Sequence, residues 1–419
     1  MRVNSEHSVH SDINMEFIGY NVNAAIGKIS IFQKSIHESE NPMNLTFQNV
    51  NEAFYNLVQG ISDGSLNLSE SESRNGPVLY FPDPVVVTIE NPEERVLLNP
   101  ERDCNPFFHL YESLWMLAGD NRVKPLAYYA SNMEEFSDDG VFLNGAYGRR
   151  WRKRNDYHMN EVSGIETPGG IAQGYTDQLV EVIEHLKDHP NSRRAVVSMW
   201  NVEEDLLRID NRRDMFSKDV CCNTQLMFSI RQEPNGEGEF DSNGDPVPKS
   251  LTTYDVLDMT VVNRSNDLIW GMLGANVVHM SFLQEWMARK IGVLVGKMHT
   301  MTNNLHVYKW NWEPIKWLGG YEEEHRVYPY IRVPIDIDDD REILNFVGSH
   351  HHTNGIISTR LWHSEFLNDV AQPMMNSFHC HKVKAYNEEL TWIEEVKDEA
   401  WRKAGIAWYE RRTERRNSK

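Results

Sequence analysis

Three successive apolar runs, RRAVVSMW, CNTQLMFSIR and LDMTVVN, constrain the fold of this chain more than any other feature. Alternating or continuous apolar residues over so short a length give strands with at least one face against a core. The stretch between the last two, EPNGEGEFDSNGDPVPKS, is dense in Gly, Pro, Asn and Asp and marks an inserted hairpin loop. Around this strand group, residues 47–61, 107–117, 176–186 and 276–291 repeat apolar side chains at helical spacing, with Gly119 and Gly292 just past two of the ends as caps. The run VLYFPDPVVVTI reads as strands interrupted by prolines, and residues 65–75 as a Ser/Glu/Asn-rich loop. Two later stretches, DIDDDREILNFV and NEELTWIEEVKDEAWRKAGIAWYERR, suggest further helices, so the chain is of the α/β class.

With 419 residues the chain exceeds the size at which one core usually keeps growing, so a catalytic domain with additional segments is expected. A formal net charge of -20, from 62 acidic and 42 basic residues, argues against a general nucleic-acid binder. A small anionic substrate would need a local arginine cluster. The four cysteines, Cys104, Cys221, Cys222 and Cys380, include no CxxC pair and are poor material for a disulfide framework or a zinc site. No stretch approaches the roughly 20 apolar residues that span a bilayer, and the N-terminus lacks the apolar core of a signal peptide. A cytoplasmic location is expected. The histidines at 350–352 and the group His379, Cys380, His381 could ligate a metal but lack a recognised four-ligand spacing, so loop or packing roles are expected. The basic end WYERRTERR reads as a solvated helix end.

The residues that carry chemistry fall in a fixed order. Arg74 lies in SRNGPV, Glu112 in YESLWMLAGD, Tyr147 in GAYGRRW, Arg193 and Arg194 in SRRAVVSMWN, and Cys222 in KDVCCNTQLMFSI. Arg264-Ser265-x-Asp267, Asn276 and His306-x-Tyr308 follow. A free thiol is only about a few per cent thiolate at neutral pH unless cations lower its pKa, and arginines in the same constellation would do so. Together these signatures resemble the thymidylate synthase family over residues 74–308. Cys221 competes with Cys222 as the thiol. Matching Phe228 to the family's phenylalanine puts Cys221 at the proline of its Pro-Cys-His and Cys222 at the nucleophile.

That resemblance implies a three-layer α/β sandwich around a bent mixed sheet at residues 46–318, flanked by an N-terminal extension (1–45) and a mostly helical C-terminal extension (319–419). It implies folate-dependent transfer of one carbon to C5 of dUMP, through a covalent adduct between Cys222 and C6, with 5,10-methylenetetrahydrofolate as cosubstrate. Arg74, Arg264 and Ser265 would hold the phosphate. Arg193 and Arg194 would reach the phosphate of the partner subunit in a homodimer with shared sites. Asn276 would read O4 and N3-H of uracil, His306 and Tyr308 the 3'-hydroxyl; the cytidylate-modifying branch carries aspartate where Asn276 stands, which favours dUMP over dCMP. Glu112 would relay protons, Tyr147 would help remove the C5 proton, and Asp267, Met133 and Gly271 would face the folate.

Three departures from the family pattern bear on the outcome. Asn223 replaces the histidine after the nucleophile, Met133 in NMEEFS replaces a tryptophan, and RRTERRNSK ends the chain where the family has an apolar sealing tail. Sealing a site suppresses attack by water on reactive intermediates. Its loss favours water over hydride as the terminating reagent, hence 5-hydroxymethyl-dUMP, with dTMP and dihydrofolate as the alternative. Phage-type members occur in both groups, which would make the location the host cytoplasm. A catalytically silent nucleotide-binding homologue is the remaining reading.

Overall fold

The hairpin formed by the two central runs is the spine of the computed structural model, which describes residues 43–73, 75–153, 176–206, 217–234, 253–316, 328–351 and 357–418. The extension before residue 43, Arg74, nearly all of the inserted loop and His352 lie outside the described residues. The strands are β1 (Met43–Phe47), β2 (Ser69–Ser73), β3 (Gly76–Tyr80), β4 (Val85–Ile89), β5 (Val196–Ser198), β6 (Asn223–Pro234), β7 (Thr253–Asn263), β8 (Asn266–Asp267), β9 (Leu294–Thr302) and β10 (Leu305–Tyr308). A six-stranded mixed sheet has the order β1-β4-β9-β7-β6-β5, with β1–β4 and β7–β9 parallel and the other pairs antiparallel. A second sheet, β2-β3-β10-β8, sets His306 directly opposite Asp267.

Residues 69–73 are a strand rather than the expected loop. SESES pairs residue for residue with β3 through its main chain, and Gly76 at φ 110 takes the left-handed conformation that closes the turn. Its side chains are mostly exposed, so the strand carries no apolar alternation for sequence analysis to detect.

The helices that position the site begin with α1 (Val50–Ser62), α2 (Pro106–Leu117), α3 (Val123–Tyr129), α4 (Tyr147–Arg152) and α5 (Gln178–Asp188). Then come α6 (Val277–Ile291), α7 (Asp340–His351), α8 (Gln372–Lys382), α9 (Tyr386–Glu394) and α10 (Glu399–Asn417). Helix α1 starts three residues later than its apolar periodicity, because Phe47 ends β1 and the Asn49 side chain caps the Glu52 amide at 3.0 Å. Asn105 caps α2 in the same way, at 3.1 Å from the Phe108 amide, and Pro106 occupies its first turn. Gly292, at φ 93, ends α6.

Helix α2 is buried almost all round, since it packs on α6 and is overlaid by the C-terminal helices. Phe107 meets Phe378 at 5.3 Å, Trp408 at 5.5 Å and Tyr409 at 5.2 Å between ring centroids. The C-terminal histidines take packing roles: His350 stacks on Phe346 and bonds its carbonyl, His379 bonds the Tyr128 hydroxyl, and His381 pairs with Glu389. No described helix is long and apolar enough to cross a membrane.

Candidate active site

The cleft is organised by the end of the central hairpin. Cys222 immediately precedes β6, at a point where the pairing with β7 slips between Asn223 and Gln225. Arg264, just past β7, is tied to this segment three times: its main-chain N–H donates to the Cys222 carbonyl (3.0 Å), its Nε to the Cys221 carbonyl (2.8 Å) and its Nη2 to the Val220 carbonyl (3.2 Å). Its Nη2 then lies 3.9 Å from Cys222 Sγ, where a guanidinium favours the thiolate. Its outer face lies 5.6 Å from the Trp200 ring centre.

The two adjacent thiols are in opposite environments. Cys222 is partly exposed and lines the cleft, whereas Cys221 is buried with its Sγ 3.3 Å from the Gly145 carbonyl, and burial pushes its pKa far up. Cys221 is inert packing.

Two recesses meet at Cys222. One, of ≈ 770 Å³, is lined by Arg264, Ser265, Asp267, Gly271, His306 and Tyr308. The other, of ≈ 820 Å³, is lined by Glu112, Met133, Trp270, His279 and Trp310 among others. Phe136, Tyr147, Asp219, Val220, Cys222 and Asn276 line both. The first holds cationic and hydroxyl groups suited to a nucleotide, the second aromatic and apolar walls suited to a flat heterocycle.

Tyr147 opens α4 and is held by close backbone approaches on either side. A Cβ on Gly145 would stand 2.9 Å from the Cys221 amide nitrogen, and one on Gly148 would stand 2.0 Å from the Met116 carbonyl. Gly148→Ala therefore forces α4 away from α2, and is expected to cost about 3 kcal/mol of stability, read from the urea midpoint. Burial raises the Tyr147 pKa well above its ordinary value, reinforced by the neighbouring thiols and Asp219 and only partly offset by a hydrogen bond from the Asn223 main chain. The phenol stays protonated.

Asn276 is fixed from the side. Its Nδ2 donates to Asn266 Oδ1 at 3.1 Å, and Gly271 leaves room for that pair, since a Cβ there would fall 2.3 Å from Asn266 Oδ1. The preceding Leu268–Asn276 segment is a π-helix capped by Asp267, whose Oδ1 accepts from the Ile269 (2.7 Å) and Trp270 (2.6 Å) amides. A π turn holds one residue more than an α turn, and the segment ends with Asn276 at the cleft. Asp267 Oδ2 is buried with no hydrogen-bond partner among the described residues, and burial raises the Asp267 pKa. It is an open acceptor, but Asp267 and Gly271 line the first recess only, whereas the aromatic walls suited to a flat heterocycle belong to the second.

Arg193 and Arg194 are exposed beside β5 and line neither recess, and Asn223 is buried against Asn263 rather than facing the cleft. Sequence reasoning missed His279 and Asp219. His279 Nε2 lies 3.1 Å from Glu112 Oε2, and its position three residues after Asn276, on one helix face, was the available signal. Asp219 accepts from the Gly145 amide at 2.7 Å, and burial pushes its carboxyl up to about 6. Its signal was weaker, a carboxylate three residues before the thiol.

A model of the family described as thymidylate synthase matches residues 86–346. The chain belongs to the thymidylate synthase family. Among its relatives in that family, the deoxyuridylate hydroxymethyltransferase of Pseudomonas phage M6 is 33% identical over 85% of this chain and 93% of that protein. The deoxyuridylate hydroxymethyltransferase of Bacillus phage SP01 is 39% identical over 54% of this chain and 49% of that protein. A crystal structure of thymidylate synthase from T4 phage aligns with a TM-score of 0.47 and 19% identity, covering 70% of this chain and 90% of that one. In this thymidylate synthase family member the signatures from Glu112 to Tyr308 fall inside the matched span, and those at Arg74 and in the last helix fall outside it.

Proposed function

We propose that this protein is a deoxyuridylate hydroxymethyltransferase, which attaches a one-carbon unit to C5 of dUMP and ends the reaction with water. The observation that carries the reading is the placement of Cys222 where the nucleotide-like and folate-like recesses meet, beside the Arg264 guanidinium. The thiolate adds to C6 and makes C5 nucleophilic, and Arg264 with Ser265 holds the phosphate. Asn276 offers its second N–H to O4 and its carbonyl to N3-H. His306 and Tyr308 receive the sugar hydroxyl. Tyr147, at the junction of the two recesses, holds the water that takes the C5 proton, and Glu112, with His279 Nε2 3.1 Å from its Oε2, relays protons at the base edge. When bound, 5,10-methylenetetrahydrofolate supplies the carbon, and in the methylating alternative the hydride too.

Water is favoured as the terminating reagent by Met133 in the wall of the folate recess, and the two phage relatives carry hydroxymethyltransferase names. Homodimerisation through the six-stranded sheet is part of the same reading. Val196 and Met227, a cross-strand pair, are exposed on that sheet with Met301 two strands further on, and Arg193 and Arg194 lie beside β5, poised for a partner's phosphate. The setting is the cytoplasm, that of the host for a phage-encoded chain.

Mass spectrometry of the nucleotide after incubation with dUMP and methylenetetrahydrofolate tests the outcome. Expected is 5-hydroxymethyl-dUMP with no dihydrofolate absorbance. Thymidylate with an equal amount of dihydrofolate would refute it.

A further inference from the structure

Among the described residues that line both recesses, Asp219 is the only carboxylate, and no step above uses it. We propose that Asp219 is the general base for the terminating water, taking a proton from it on the carboxylate oxygen that the fold leaves uncommitted. The proposal rests on the hydroxymethyltransferase reading above.

The residue is held from several sides. Its Oδ2 accepts from the Gly145 amide at 2.7 Å, its carbonyl accepts from Asn144 Nδ2 at 3.1 Å, and its main-chain N–H donates to Ser217 Oγ at 3.3 Å. Ser217 Oγ is itself anchored, donating to Asp138 Oδ2 at 2.7 Å. The other carboxylate oxygen, Oδ1, receives no hydrogen bond from a described residue. It stands over Gly145, 3.0 Å from where a Cβ would be, so the glycine leaves it uncovered. Tyr147 lies two residues beyond Gly145, and Cys222 three residues beyond Asp219. Carboxylate, phenol and thiol are thus fixed to one another where the recesses join.

Once the folate has departed and C5 has lost its proton, the Cys222 adduct carries an exocyclic methylene on C5. Water adds to it readily only if a proton is removed as the bond forms. The water oxygen bonds to the methylene carbon, the double-bond electrons pass into the ring as the C4 enolate, and the proton goes to Asp219 Oδ1. Collapse of the enolate restores the C5–C6 double bond and expels the Cys222 thiolate, and Asp219 returns its proton to solvent through the cleft. The surroundings suit this task. Burial pushes the Asp219 carboxyl up to about 6, against the Gly145 amide and Arg150 and helped by Asp138 and Glu112; Tyr147 and Cys221 also face it. Such a carboxylate is ionised at neutral pH and more basic than an ordinary one.

Single turnovers with 5-tritiated dUMP and methylenetetrahydrofolate separate the steps, because tritium leaves C5 before water adds. Asp219→Asn keeps an oxygen for the Gly145 amide and removes the base. Tritium release and formation of the 5-fluoro-dUMP adduct are expected to stay within about threefold of wild type, while the hydroxymethyl product forms about 100-fold more slowly. In the wild type the product-forming step is expected to rise with pH through about 6 and level off above it, since the carboxylate is the active form, and the variant is expected to lack that rise. A variant that forms product at the wild-type rate, one that loses tritium release as severely as product, or a wild type without the pH rise overturns this proposal alone. A wild type that yields thymidylate overturns the hydroxymethyltransferase reading and this proposal with it.

Discussion

Cys222→Ala is expected to reduce turnover of dUMP by about 10⁴-fold or more, the scale of removing a nucleophile, while Cys221→Ala leaves it within about threefold. The contrast follows from position. Cys222 opens into the cleft beside a guanidinium 3.9 Å away, and Cys221 is sealed against the Gly145 carbonyl. Truncating Cys221 opens a small void near β6 and is expected to cost about 1 kcal/mol of stability. Steady-state kinetics of both variants, with urea denaturation as the control for folding, separates the two roles. Equal losses in both would mean that the pair acts only through packing.

The second large effect is on base choice. Asn276→Asp is expected to lower kcat/KM for dUMP by about 10³-fold and to raise turnover of dCMP, because a carboxylate repels O4 and accepts from the cytosine amino group. The local structure can absorb the change. Asn266 Oδ1 now accepts from Asn276 Nδ2, and Asn266 Nδ2 is buried with no hydrogen-bond partner among the described residues. Turning the Asn266 amide would present that N–H to the new carboxylate, so the pair survives while the edge it offers to the base is reversed. Competition between dUMP and dCMP at equal concentrations reads the switch; an unaltered preference would remove Asn276 from base recognition.

What the sequence disclosed, and what it concealed, follows from how locally each feature is encoded. Strands β6 and β7 were legible because buried faces impose period two, and α2 because its apolar residues recur at helical spacing with Gly119 just past the end. Strand β2 was not, since its pairing is main-chain only and its side chains face solvent. The ordered signatures picked out Cys222, Asn276, His306 and Tyr308, which the fold gathers from three separate segments around one cleft. His279 and Asp219 escaped because what distinguishes them is a neighbour distant in sequence: Glu112 for the first, the Gly145 amide for the second. The place of α10 in the wall of the second recess, through Trp408 and Arg412, was hidden for the same reason. Its arginines read as a solvated helix end until Asp103, some three hundred residues away, is seen to gather them.

The most direct measurement is intact-protein and peptide mass spectrometry after incubation with 5-fluoro-dUMP and methylenetetrahydrofolate, a pairing in which the C5 fluorine cannot leave as a proton does. The expected result is a stable mass increment equal to nucleotide plus folate, mapped to Cys222 and absent from Cys222→Ala. An increment on Cys221, or turnover of dUMP by a protein that forms no such adduct, would contradict the account.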